Sequence, residues 1–333
     1  MYMKKILSTL LACSLTAALM SGCSGPAASA GAGSSSAASG TSAPASGASG
    51  SGYEIAFSLK TVTNDNFQQS IAKAVETACK AKGIKFTLVT AGDETAVSTQ
   101  VTQIEDLITK HVSALIVNPM DANAVIPALQ KAKEAGIPVV LVDSAIAEGH
   151  EDLYVTHIGT DNEKAAKQGA EVLSKALGGK GKAILIRGAN GNAVGNARAA
   201  GFKAGLAGGV KLVGEQPGDW SNDTAKQVTE NMLQANPDVN GIMCCSDVMV
   251  DGILQAVEDR GLKGKVKIMS FDGDSINLIK QGLVLGDMAQ FPKVMGEKAV
   301  DTLASILNKT ASADSFQKYI DSGTKCYTKD NVG

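Results

Sequence analysis

The runs Ala114-Leu115-Ile116-Val117-Asn118 and Pro138-Val139-Val140-Leu141-Val142-Asp143 are apolar for the length of a strand, and each ends on a polar side chain. A strand with one wet face alternates apolar and polar residues. An unbroken apolar run implies cover on both faces, the condition of strands in a parallel sheet. Between the two runs, residues 121–135 carry a helical pattern that ends at Gly136. The unit is therefore strand, helix, strand, and it recurs in both directions. Further strands are expected at 54–59, 85–90, 182–187, 211–216, 241–245, 266–271 and 286–290. Helices are expected at 66–82, 95–110, 161–177, 193–207, 222–236, 247–260 and 293–308. Residues 66–82 show the helical spacing well, with Phe67, Ile71, Ala74, Val75 and Ala78 on one face. Gly83, Gly136, Gly205 and Gly261 fall near helix ends, where a left-handed residue is useful. Nine strands are many for one open sheet of this kind. The pattern predicts an α/β protein of two doubly wound parallel-sheet lobes, with a first boundary where the pattern restarts near 154–161.

The chain of 333 residues is long enough for two such lobes, and 44 % hydrophobic content permits two cores. Charge balances at 31 basic against 33 acidic residues, which argues against nucleic-acid binding through phosphate neutralisation. The three histidines, His111, His150 and His157, are scattered, and no metal or cofactor is expected.

The first 52 residues belong to a different class. Lys4 and Lys5 precede an apolar run to Met20, followed by Ser21-Gly22-Cys23. This is the form of an export signal, with an apolar run too short for an ordinary membrane span. The small pair before Cys23 resembles a bacterial lipoprotein box, which implies removal of residues 1–22 and lipidation of Cys23. Met20 stands where that pattern usually has Leu. Residues 24–52 contain only Ser, Gly, Ala, Pro and Thr, a composition expected to stay disordered. As a flexible coil this tether would reach roughly 30 Å. Loss of Lys4 and Lys5 takes the net charge from −2 to −4. Four further cysteines, Cys79, Cys244, Cys245 and Cys326, allow three complete pairings, and their spacing favours none. Cys244 and Cys245 lie in an apolar run and read as buried small hydrophobes.

Ligands of doubly wound sheets bind at the carboxyl ends of the strands. There the sequence places Lys60, Asp65 and Phe67, then Asn118, Asp143, Trp220, Ser246, Asp272 and Gln290. Taken singly, such residues are common caps and turn formers, as Asp121, Asp161 and Asp247 are expected to be. Their recurrence at several strand ends is what points to a site. Sequence signatures of common catalytic centres are missing: there is no G-x-S-x-G, H-E-x-x-H or G-x-x-x-x-G-K-[ST]. Gly178-Gly179-Lys180-Gly181-Lys182 precedes a strand and reads as a turn. Gly188-Ala189-Asn190-Gly191-Asn192 follows a strand but lacks dinucleotide-binding spacing. With no nucleophile–base pair, an enzyme is not expected.

From residue 53 to the C-terminus the chain resembles the sugar-binding proteins of bacterial ABC importers, of the ribose, allose and galactose-binding type. The residues that carry the resemblance are Thr61-Val62-Thr63-Asn64-Asp65-Asn66-Phe67, Leu115-Ile116-Val117-Asn118-Pro119, Leu141-Val142-Asp143, Ala197-Arg198-Ala199-Ala200-Gly201-Phe202, Gln216-Pro217-Gly218-Asp219-Trp220, Ser246-Asp247, Ser270-Phe271-Asp272-Gly273 and Ala289-Gln290. The resemblance implies a type I periplasmic binding protein fold, with lobes joined by a hinge of three segments. On it, residues 53–159 with 291–320 form the N-terminal lobe, and 160–290 with 321–333 the C-terminal lobe. It also implies sugar contacts from Asp65, Phe67, Asn118 and Asp143 of the first lobe, from Arg198, Trp220, Ser246 and Asp272 of the second, and from Gln290 near a crossing. Lys60 resembles a lysine of the allose-binding branch. Ribose binders carry Arg where this chain has Ser144, and many carry Asn in place of Asp65 and Ser246. Asp65-Asn66-Phe67 is instead similar to the glucose/galactose type. These departures suggest a larger pocket and an aldohexose or similar polyol rather than ribose.

The implied role is a lipid-anchored, monomeric solute-binding protein that delivers a monosaccharide to a membrane permease with a cytoplasmic ATPase. Its contact with the membrane would be through the lipid alone. A sensor subunit presenting a sugar or small signal to a receptor is the alternative. A transcriptional regulator on the same fold is disfavoured by the export signal.

Overall fold

The structure is a computed structural model that describes residues 52–93 and 95–333; the expected signal, Cys23 and the tether up to residue 51 lie outside the described residues. The chain runs β1 (Glu54–Leu59), α1 (Asn66–Ala81), β2 (Lys85–Thr90), α2 (Val97–Thr109), β3 (Ala114–Val117), α3 (Ile126–Glu134), β4 (Val139–Val142) and β5 (Thr156–Gly159). It continues with α4 (Asn162–Ala176), β6 (Lys180–Arg187), α5 (Ala193–Gly205), β7 (Gly209–Pro217), α6 (Asn222–Ala235), β8 (Gly241–Cys244), α7 (Val250–Asp259), β9 (Lys267–Asp272), α8 (Ile276–Gln281) and β10 (Gly286–Gln290). Then come α9 (Pro292–Leu307), β11 (Tyr319–Asp321) and β12 (Thr324–Thr328).

Two six-stranded sheets result, ordered β11-β5-β4-β3-β1-β2 and β12-β10-β9-β8-β6-β7. Every pairing is parallel except that of β12 with β10. Each sheet reverses strand order once, between β1 and β3 and between β6 and β8. Such switch points open a crevice at the strand ends. The runs β3 and β4 are buried at every residue, as their unbroken apolar sequence requires.

Helices cover both faces. On one face of the first sheet Phe57, Ile71, Val75, Val300 and Leu303 pack together, and on the other Ile104, Leu115, Leu129 and Leu141. The second lobe has its own core around Ile184, Phe202, Ile242, Ile253 and Phe271. The helix α9 returns to the first lobe and lies close against α1: a Cβ on Gly296 would come within 2.9 Å of Ile71 O. Gly201 and Gly205 play the same part between α5 and α4, each facing the α4 backbone. Gly205 is thus a site of close packing rather than the expected left-handed helix end, whereas Gly83, Gly136 and Gly261 have positive φ.

The chain crosses between the sheets three times, after Gly159, after Gln290 and after Asp321. The last crossing differs from the expected boundary at 320, because Asp321 still pairs with Gly159 in the first sheet. The crossings are tied together: Ser322 N donates to Gly159 O at 2.8 Å, and Thr324 Oγ1 donates to Ala289 O at 2.9 Å.

Candidate functional site

The ends of β1, β4, β8, β9 and β10 face one another across the gap between the lobes. They border a cleft whose empty space, including the part open to solvent, is about 310 Å³. Lys60, Asp65, Phe67, Asp143, Arg198, Trp220, Ser246, Asp272 and Gln290 all line it, together with Gln68 and Val194. Asn118 does not. It is fully buried behind the wall, donating to Asp143 Oδ2 at 3.1 Å and to Gln68 Oε1 at 2.9 Å. From there Asn118 holds Asp143 and Gln68 in place.

The first-lobe wall centres on Asp143. Ser144 N donates to Val142 O at 2.7 Å, closing a three-residue turn in which Asp143 has φ 61°. The turn aims the carboxylate inward. Lys60 Nζ lies 3.3 Å from Asp143 Oδ2 and donates to Ser144 Oγ at 2.9 Å. Oδ1 of Asp143 is buried with no partner. Such a group costs roughly 1–3 kcal/mol unless something donates to it. Ser144 stays off the cavity wall, covered by Lys60, so it adds no room there.

The second-lobe wall centres on Asp272. Its Oδ1 accepts from Arg198 Nη1 at 3.0 Å and from Gln290 Nε2 at 2.7 Å; its Oδ2 accepts from Ser246 Oγ at 2.5 Å and Asp247 N at 3.2 Å. Arg198 is fixed further by Asn162 Oδ1 at 2.8 Å, by the Cys245 carbonyl, and by the Phe271 ring at 3.8 Å. Burial pushes the Asp272 carboxyl up to about 7, against the pull of Arg198 and with a push from Asp247. Asp272 is therefore a hub that orders Arg198, Ser246 and Gln290. Gln290 Oε1 is left buried and unpartnered.

Both cations of the site are paired with carboxylates, Lys60 with Asp143 and Arg198 with Asp272. Among the described residues that line the cavity, no unpaired positive charge remains to hold a phosphate or carboxylate. The two unpartnered oxygens instead call for neutral donors such as hydroxyls. Asp65 caps α1, accepting from Gln68 N at 2.9 Å, and burial raises its pKa.

Phe67 and Trp220 supply the apolar surfaces. Asp219 and Trp220 both have positive φ, 52° and 55°, as does Asn64 at 54° on the facing lip. Left-handed backbone in a bulky residue is uncommon and costs of order 1–3 kcal/mol, a form of strain that collects at binding sites. The Trp220 indole lies over Gly188 so closely that a Cβ there would fall inside the ring.

A search against family profiles matches residues 55–311 to the periplasmic binding protein domain. The chain belongs to the periplasmic binding protein family. The ribose import binding protein of Bacillus subtilis (strain 168) is 30 % identical over 268 residues, covering 78 % of this chain and 85 % of its own. The D-allose-binding periplasmic protein of Escherichia coli (strain K12) is 32 % identical over 257 residues, covering 73 % and 81 %. Among solved structures, an ABC transporter periplasmic solute binding protein from Actinobacillus succinogenes 130z with bound D-allose superposes with a TM-score of 0.77 at 30 % identity, covering 84 % of this chain and 99 % of its own. These relatives are binding proteins of transporters, not enzymes. The family is extracytoplasmic, and among the described residues no helix is long and apolar enough to cross a membrane.

Reading strand ends alone missed Gln68 and Val194, which reach the cavity from the first turns of α1 and α5. The spacing Asp65-x-x-Gln68, a cap followed by an amide three residues on, was the available signal for the first. Asp161 caps α4 as expected. Asp121 accepts instead from Asn123 N and Ala124 N ahead of α3. Asp247 is not a cap: Ser246 fills that place, and Asp247 Oδ2 accepts from Gly273 N, Asp274 N and Ser275 N. All four cysteines of the described residues are free thiols.

Proposed function

We propose that the chain is an extracytoplasmic solute-binding lipoprotein that captures a monosaccharide between its lobes for an ABC importer. The observation that carries the reading is the chemistry of the cavity. Charges are neutralised in pairs, two buried acceptor oxygens lack donors, and Phe67 and Trp220 offer surfaces for the C–H faces of a sugar ring. Asp143 and Gln290 accept from hydroxyls, while Lys60 and Arg198 donate. Asp65, Ser246 and Asp272 complete the wall, and Asn118 acts through Asp143. The relatives span a pentose binder and a hexose binder. An aldohexose or similar polyol is favoured over ribose, because Asp65 and the short Ser246 side chain stand where ribose binders commonly carry Asn.

The lipid on Cys23 would hold the monomeric protein at the outer face of the membrane, beside a permease driven by a cytoplasmic ATPase. Incorporation of labelled fatty acid into the chain, lost in Cys23→Ala, tests the anchor. Titration calorimetry of residues 53–333 with pentoses, aldohexoses, inositols and disaccharides tests the ligand class. Saturable binding of an aldohexose or polyol is expected, and heat from none of these compounds would sink the reading.

A further inference from the structure

The loop after β6 reaches across to the first lobe. Asn192 is 1 % exposed. Its Oδ1 caps α5, accepting from Gly195 N at 3.0 Å. Its Nδ2 points the other way, across the gap, to Met120 O at 3.2 Å and Ser144 Oγ at 3.5 Å. Beside it Ala122 N donates to Gly191 O at 3.2 Å, and Gly191, with φ 79°, lies against the Asp121 carboxylate where no Cβ would fit. One amide thus joins two parts of the site. Its oxygen holds the N-terminus of α5, the helix that carries Val194 and Arg198. Its nitrogen meets Ser144, which also accepts from Lys60, the partner of Asp143.

We propose that Asn192 is a positioning residue that latches the closed lobes and couples closure to the ligand-facing carboxylate of Asp143. The inference rests on the sugar-binding reading of the same cavity. It assigns to Asn192 a part in ligand retention although Asn192 does not line the cavity. With the lobes apart, Nδ2 faces water and its hydrogen bonds are exchanged for bonds to solvent. With the lobes together, it adds contacts that exist only in the closed state, and a ligand shifts the equilibrium only through such differential contacts. Binding to Asp143 Oδ1 orders the same Asp143–Lys60–Ser144 chain that Asn192 meets. Latch and ligand therefore favour the same arrangement.

The variant Asn192→Ser retains a side-chain cap for α5 but is too short to span the gap. In the mature chain, Trp220 is the single tryptophan and reports on the cavity directly. Stopped-flow fluorescence with D-allose should show release about three- to tenfold faster in Asn192→Ser, the scale of one or two neutral hydrogen bonds. Association should stay within about twofold, and the melting temperature of the sugar-free protein should not change, since each lobe folds around its own core whether or not the latch is made. Unchanged release, or weaker binding explained by slower association or lower sugar-free stability, overturns the latch. Should the wild-type chain bind no compound of the calorimetric panel, the sugar reading fails and the latch is tested by small-angle scattering without ligand. There Asn192→Asp, which keeps the cap but sets a carboxylate against Met120 O, must give a larger radius of gyration than wild type, and equal radii overturn the proposal.

Discussion

Asp143 concentrates the physics of the first wall in one side chain. Its backbone is left-handed, one oxygen is shared by Lys60 and Asn118, and the other has no partner. Replacing it with Asn keeps the shape but leaves the Lys60 ammonium, 3 % exposed, without its counter-charge. Breaking one side of a buried ion pair costs about 3–5 kcal/mol. Asp143→Asn is therefore expected to lower the denaturation midpoint of the sugar-free protein as well as abolish sugar binding. Urea unfolding followed by circular dichroism checks the first effect, and an unchanged midpoint would show that Lys60 is solvated elsewhere. A second carboxylate behaves differently. Asp287 is fully buried, hydrogen-bonded to Asp247, and held well above the usual carboxylate range by burial and by that neighbour. As pH rises from about 4, the unfolded chain gives up a proton that Asp287 keeps when folded. Stability from this group is thus full below about pH 4 and is lost as pH climbs toward the folded value, and Asp272 adds the same sign up to about 7. Asp287→Asn, which mimics the protonated form, should lose less stability than wild type between pH 5 and pH 8. Equal losses in urea titrations at the two pH values would remove Asp287 as the cause.

The loops that follow the strands carry the site, and their glycines set what can approach. Gly188, just after β6, has ordinary φ, so Ala is sterically allowed in its own backbone. The added methyl would nevertheless occupy the place of the Trp220 ring. Gly188→Ala is expected to expel the indole from the cavity wall. It should red-shift the Trp220 emission and weaken sugar binding at least tenfold, with little change in the far-ultraviolet spectrum; an unshifted emission maximum would mean that the ring is accommodated. Elements of this kind also show what sequence could reveal. Strands β1, β2 and β10 begin and end where the pattern places them, although β2 is a half-exposed edge strand and β10 carries Asp287; the doubly covered β3 and β4, apolar without interruption, lie within their expected ranges. The strands β5, β11 and β12 escaped: Thr156-His157-Ile158-Gly159 is half polar and lies at a crossing, and β11 has only three residues. The helix α8 is six residues long, too short to express a helical period. Within the site, positions carried by the turns after strands were legible from their polar ends. Val194 and Asn192 were not, because their meaning comes from the opposite lobe, which no local pattern encodes.

At the scale of the molecule, the two lobes have separate cores joined by three tied crossings and by the contacts around the cavity. Among the described residues, no buried apolar side chain of one lobe's core belongs to the other's. A few hydrogen bonds across the gap, such as those of Asn192, are a small addition beside the cores themselves. The lobes of the sugar-free protein should therefore unfold in two overlapping calorimetric transitions, with a van't Hoff enthalpy smaller than the calorimetric one. A sugar that touches both walls changes this, because it binds only when both lobes are folded and closed. Its binding energy is lost whichever lobe unfolds first, so the two events become one. At a sugar concentration about a hundred times the Kd, the folded state gains about 2.7 kcal/mol. Scanning calorimetry under those conditions should show a single, higher transition in which the two enthalpies agree. Two transitions of which only one moves with sugar would mean that the ligand is held by a single lobe, and would overturn the two-walled site.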